Sequence, residues 1–109
     1  MANTPEGKVK DAVKALLKER HAWYFMPVSN GMGVVGIPDI ICCYRGLFIA
    51  IETKAPGKLH TTTPNQKRVI SAINASGGMA IVVDDVSAVV DLLDTLDLTY
   101  KECPNGYVN

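Results

Sequence analysis

The 109-residue chain predicts a single α/β domain with the element order α-β-β-β-α-β-α. Three observations carry this. Stretches of helical periodicity open on capping threonines at Thr4 and Thr63, short β-favouring runs are set apart by glycine, and a hydrophobic content of 48% suffices for one core. The domain is expected to cover residues 1–109, with a core over 4–96 and a polar tail over 97–109.

Thr4-Pro5-Glu6 opens the first helix, with Thr4 as N-cap and Pro5 at the first helical position. Val9, Ala12, Val13, Leu16 and Leu17 form its buried face, and Lys8, Lys10, Asp11, Lys14 and Lys18 are expected elsewhere. Glu6, three residues before Val9, extends the inward face, although a first-turn glutamate also complements the helix dipole. Residues 22–28 read as a first strand rich in aromatics. Ser29 to Gly36 is a glycine-rich loop without the spacing of a dinucleotide or P-loop fingerprint, which excludes nucleotide binding. Its apolar residues are candidates for contact with a second subunit.

Residues 40–45 and 47–51 form a hairpin about Gly46. A two-residue Arg45-Gly46 turn pairs Tyr44 with Leu47, Ile40 with Ile51 and Asp39 with Glu52. Alternation puts Glu52 and Lys54 on one face, so Asp39, Glu52 and Lys54 converge while Thr53 turns away. Thr63-Pro64-Asn65-Gln66 is a capping box that starts the second helix. Gln66 shares a face with Val69, Ile70 and Ile73, and that face must look toward the sheet. Gly77-Gly78 ends this helix, residues 79–83 form a buried strand, and residues 86–96 form a final amphipathic helix. His21 and His60 are expected to be exposed in loops.

The net charge is zero, but it is segregated. Residues 1–78 hold ten Lys/Arg against five Asp/Glu, and residues 79–109 hold one against six. The basic part surrounds the converging carboxylates, making Lys8, Lys10, Lys14, Lys58, Lys67 and Arg68 candidates for phosphate contacts. No membrane span or signal peptide is legible. Three cysteines, two of them adjacent at Cys42-Cys43, match no zinc spacing and favour a reducing cytosol.

Opposed carboxylates at a strand end repel unless positive charge sits between them. Magnesium suits such a place, because it accepts one or two protein carboxylates, carbonyls, waters and substrate phosphate. Lys54 would orient or activate a water, or neutralise charge on the phosphate. The plain alternative is a surface hairpin with a charged end.

Gly36-Ile37-Pro38-Asp39, an apolar strand, Glu52-Thr53-Lys54-Ala55-Pro56-Gly57-Lys58, Thr63-Pro64-x-Gln66 and Gly77-Gly78 before an apolar strand together resemble the VRR-NUC group of the PD-(D/E)XK nuclease superfamily. The likeness runs over residues 6–93. It implies a restriction-endonuclease-like core, a mixed β-sheet with flanking helices, that cleaves DNA with Mg2+, for which Mn2+ substitutes. Asp39, Glu52 and the Thr53 carbonyl would bind the metal, with Glu6 approaching from the first helix, while Lys54 and Gln66 serve the water. The resemblance also implies a homodimer acting on branched DNA such as Holliday junctions in replication, recombination or repair. It implies products with 5′-phosphate and 3′-hydroxyl ends, and a place in the cytoplasm of a bacterium or phage-infected host. The alternative within the same fold is a non-catalytic module that binds DNA junctions or ends.

Overall fold

The computed structural model describes residues 4–28 and 33–102, the side chains of residues 101 and 102 excepted. At the centre of the sheet is a hairpin whose turn residues, Arg45 and Gly46, have φ of 54° and 82°. Positive φ at both positions is what a two-residue turn needs to match the twist of its strands. β1 (Trp23–Phe25), β2 (Ile40–Tyr44), β3 (Leu47–Thr53) and β4 (Met79–Val83) lie in that order across one sheet. β1–β2 and β2–β3 are antiparallel and β3–β4 is parallel. The expected register holds, with Tyr44 opposite Leu47 and Ile40 opposite Ile51.

Three helices flank the sheet: α1 (Pro5–Glu19), α2 (Pro64–Ala75) and α3 (Ser87–Glu102), with a short 3-10 turn at Leu59–Thr61. Thr4 Oγ1 caps α1 by accepting from Gly7 N at 3.0 Å, as the sequence predicts. Val9, Val13 and Leu17 of α1 and Val89, Leu93 and Leu96 of α3 join Ile40, Cys42, Tyr44, Ile49, Ile51 and Val83 in one core. The opposite face of the sheet is only partly covered. α2 packs chiefly against β4. Alternation sends Trp23, Cys43 and Phe48, which are register partners across β1, β2 and β3, to this face, where all three are exposed.

Three elements depart from the sequence reading. β1 stops at Phe25 instead of running through residue 28, because Pro27 has no N–H to offer a ladder. α2 contributes no fully buried residue, and Val69, Ile70 and Ile73 are only half-buried. α3 continues to Glu102, so 97–102 is helix and not a tail, while residues 103–109 lie outside the described residues. Both histidines are exposed, as expected. Among the described residues no helix is long and apolar enough to cross a membrane.

The extension of α3 has a specific anchor at the turn end of the hairpin. Asp97 Oδ1 accepts from the Tyr44 hydroxyl at 2.6 Å and from Arg45 Nε at 3.0 Å, and its Oδ2 accepts from Arg20 at 3.4 Å. Arg20 also reaches Asp94 at 2.8 Å. The Tyr44 hydrogen bond, with help from Arg45, holds the Asp97 carboxyl below its ordinary pKa. The acidic last third of the chain thus meets arginines from the basic part. Truncation in Asp97→Ala strands the hydroxyl of a buried tyrosine. It should destabilise the protein by about 1–3 kcal/mol in urea unfolding; an unchanged midpoint would show the cluster to be dispensable.

Candidate active site

The other end of the hairpin is built differently. Asp39 follows Pro38, which is fully buried. The β2–β3 pairing ends at Ile40 and Ile51, and beyond it the Asp39 carboxylate takes a strand-like role. Its Oδ2 accepts from Thr53 N at 3.0 Å and from Thr53 Oγ1 at 2.8 Å. Thr53 was expected to turn away, yet it fixes the orientation of Asp39, because the ladder leaves its N–H without a strand partner there. Asp39 Oδ1 faces Lys10 Nζ at 3.6 Å.

Glu52 is 3% exposed. Its Oε2 accepts from Gln66 Nε2 at 2.9 Å and lies 3.6 Å from Lys54 Nζ. Its Oε1 is buried with no hydrogen-bond partner among the described residues. Lys54 is also buried, its backbone N–H bonded to Val83 O at 2.8 Å, and its ammonium donates to Gln66 Oε1 at 3.1 Å. That same Gln66 oxygen accepts from Thr63 N at 2.9 Å, while Gln66 N donates to Thr63 Oγ1 at 3.1 Å. Capping and site are therefore not alternatives for Gln66. One side chain closes the capping box and holds the glutamate and lysine together.

The loop before Asp39 is set against the same helix end. Gly36 has a φ of 90°, and a Cβ there would lie 2.6 Å from the Asn65 carbonyl and 2.8 Å from Gln66 N. Only glycine permits this approach, which seats Ile37-Pro38-Asp39 beside the first turn of α2. Loop residues 29–32 lie outside the described residues.

Burial first, and then the charge of Asp39, push the Glu52 carboxyl up to about 7, against the pull of Lys54. A carboxyl oxygen buried without a partner, beside a second carboxylate, is the environment that a cation would complete. Among the described residues no three His, Cys, Asp or Glu form a metal-holding group. The donors at hand are two carboxylates and a backbone carbonyl, a set that suits a hard, partly hydrated cation such as magnesium and not zinc. Glu6 is half-buried in the first turn of α1 and does not join Asp39 and Glu52 in a carboxylate cluster.

The α1 residue that reaches the site is Lys10, one turn further on, which the sequence reading had placed off the inward face. Its position four residues after Glu6 puts it on the same helical stripe, a signal that could have found it. Of the other basic candidates, Lys8, Lys58 and Lys67 are exposed. Lys14 pairs with Asp11 at 4.0 Å, and Arg68 is exposed while donating to Asn65 Oδ1 at 2.6 Å.

A solved structure titled VRR_NUC domain superposes with a TM-score of 0.64 and 22% identity, covering 84% of this chain and 96% of that one. The chain has the VRR_NUC fold. The resemblance read from residues 36–39, 52–58 and 63–66 is thus borne out for architecture. No protein-family model matches the chain, and no curated protein does. Asp39 just before β2, Glu52 and Lys54 at and just past the end of β3, and Gln66 in the first turn of α2 meet at one end of the sheet.

A folded-state carboxyl that keeps its proton to about 7, against an ordinary value of 4.5, makes the folded state the better proton binder between those limits. Stability of the metal-free protein should therefore be greatest below pH 4.5 as far as Glu52 is concerned, and decline as pH rises to 7, by on the order of 1–3 kcal/mol. Glu52→Gln should remove this decline. Urea titrations of both proteins across that range check it, and parallel slopes would rule Glu52 out as the source.

Proposed function

We propose that this chain is a metal-dependent, structure-selective DNA endonuclease. The observation that carries the proposal is the buried Glu52 carboxylate with one unpartnered oxygen, set between Asp39, Lys54 and Gln66. Asp39, Glu52 and the Thr53 carbonyl would hold Mg2+, or Mn2+ in its place. When bound, such a cation supplies Lewis-acid stabilisation of the phosphate's developing charge and a nucleophile at neutral pH. Lys54 brings its side-chain nitrogen to a buried place beside Glu52, where it would act on charge gathering at the phosphate oxygens. Gln66 holds Lys54 and Glu52 at a set separation and orients the attacking water. Attack in line with the 3′ oxygen breaks the P–O3′ bond and leaves a 5′-phosphate and a 3′-hydroxyl.

Exposed Lys8, Lys58, Lys67 and Arg68 offer contacts to the DNA backbone. A solved structure of the same fold bearing the name VRR_NUC domain supports a nuclease reading. Among the described residues Cys42, buried, and Cys43, exposed, are both free thiols, which agrees with a reducing cytoplasm.

A branched substrate such as a Holliday junction needs two symmetric cuts, which a C2 homodimer would provide. The uncovered sheet face supports a second copy. Trp23 is 66% exposed, Phe48 49% and Val34 68%, and an apolar groove of about 570 Å³ runs between Phe48, Ile37 and the Val69–Ile73 side of α2.

With Mg2+ the purified protein should cut at least one of a panel of four-way junctions, flaps and nicked or blunt duplexes, and chelation should abolish cutting. Asp39→Asn and Lys54→Ala should each slow it by on the order of 100-fold or more. Intact DNA across the panel, with either Mg2+ or Mn2+, would remove the enzymatic reading and leave a binding module. In sedimentation equilibrium the wild type should run as a dimer and Phe48→Ser as a monomer; a monomeric wild type would sink the dimer assignment.

A further inference from the structure

Lys10 stands where a simple contact to DNA would not require it. Of the two Asp39 oxygens, Oδ2 is taken by the Thr53 N–H and hydroxyl, and Oδ1 is the one that Lys10 faces at 3.6 Å. Of the carboxylate oxygens that would hold a divalent cation, Glu52 Oε1 has no hydrogen-bond partner among the described residues, and Asp39 Oδ1 is the Asp39 oxygen that Thr53 leaves open. That is the oxygen Lys10 faces at 3.6 Å. Two cations on one oxygen repel each other, so Lys10 and the metal compete for it.

The two lysines of the site are not equivalent in their freedom to move. Lys54 is buried, with its ammonium tied to Gln66 and Glu52. The Lys10 side chain is 29% exposed and among the described residues its ion pair is with Asp39, on a flexible four-carbon stem rooted in the second turn of α1. We infer that Lys10 is an exchangeable counter-ion: it neutralises Asp39 while the site holds no divalent cation, and moves to the substrate phosphate when Asp39 takes the metal. This rests on the metal-dependent reading above and adds a residue to it. Lys10 then links the two binding events. Metal entry frees an ammonium for the phosphate, and a phosphate that draws the ammonium away opens Asp39 to metal, a coupling that is reciprocal.

Mn2+ titration calorimetry on the DNA-free, full-length protein tests this without reference to catalysis. Lys10→Met should bind Mn2+ several-fold more tightly than the wild type, Lys10→Arg should stay near the wild type because the competing charge remains, and Asp39→Asn should lose binding. At saturating Mn2+ in single-turnover cleavage, Lys10→Met should be several-fold slower despite its tighter metal, with Lys10→Arg close to wild type. A purely structural lysine would not separate the two effects in opposite directions. Equal or weaker Mn2+ affinity in Lys10→Met, with Asp39→Asn still abolishing binding, would overturn the role of Lys10 while leaving the metal site standing. Cleavage by Lys10→Met at the wild-type rate would overturn the transfer to phosphate, and a wild type that binds no Mn2+ would overturn this inference together with the reading it rests on.

Discussion

Burying the Glu52 carboxyl is the constraint to which the neighbouring elements answer, since an ionised group out of water is costly unless charge and hydrogen bonds replace its hydration. Gln66 supplies one hydrogen bond and Lys54 a nearby charge, and Gln66 manages this because its own helix end holds it by two bonds to Thr63. Gly36 then lets the Asp39 loop come against that same helix end. The compensation still falls short. One oxygen is left without a partner, and the carboxyl rises to about 7.

The two ends of the hairpin make the point by contrast. At the turn end a carboxylate, Asp97, is met by Tyr44, Arg45 and Arg20, and its pKa falls below the ordinary value. This is what a structural charge cluster looks like when it is satisfied. At the open end two carboxylates share Lys54 and Lys10, and the pKa of Glu52 goes the other way. The same sheet thus carries one finished polar cluster that pins α3 and one unfinished cluster. Unfinished compensation at a buried site is the physical mark of a place that a ligand completes.

The apolar half of the molecule is unfinished in a similar sense. α1 and α3 bury Ile40, Cys42, Tyr44, Ile49, Ile51 and Val83 on the inner face of the sheet, whereas α2 leaves Phe48 and Trp23 in solvent and buries none of its own residues completely. The groove beside α2 begins at the helix whose first turn carries Gln66, so a partner seated there would bear on the element that organises the site.

Local rules made much of this legible in the chain itself. The Thr4 and Thr63 caps, the Arg45-Gly46 turn and the register it imposes depend on residues within a few positions of each other, and alternation then places Asp39 near Glu52 and Lys54. The gathering of the site was therefore readable from spacing. Long-range packing decided the rest. Whether Gln66 closes the capping box or reaches Glu52 and Lys54 depends on where β3 lies relative to α2, and its side chain does both. Lys10 reaches Asp39, and Glu6 stays out of a carboxylate cluster, because of how α1 lies on the sheet, which no periodicity encodes. α3 runs past its apolar stripe because Asp97 finds Tyr44 and two arginines more than fifty residues away in sequence. Chain-local chemistry determined the elements and which residues could meet; the packing of helices on the sheet determined which of them did, and which carboxyl oxygen was left without a hydrogen-bond partner.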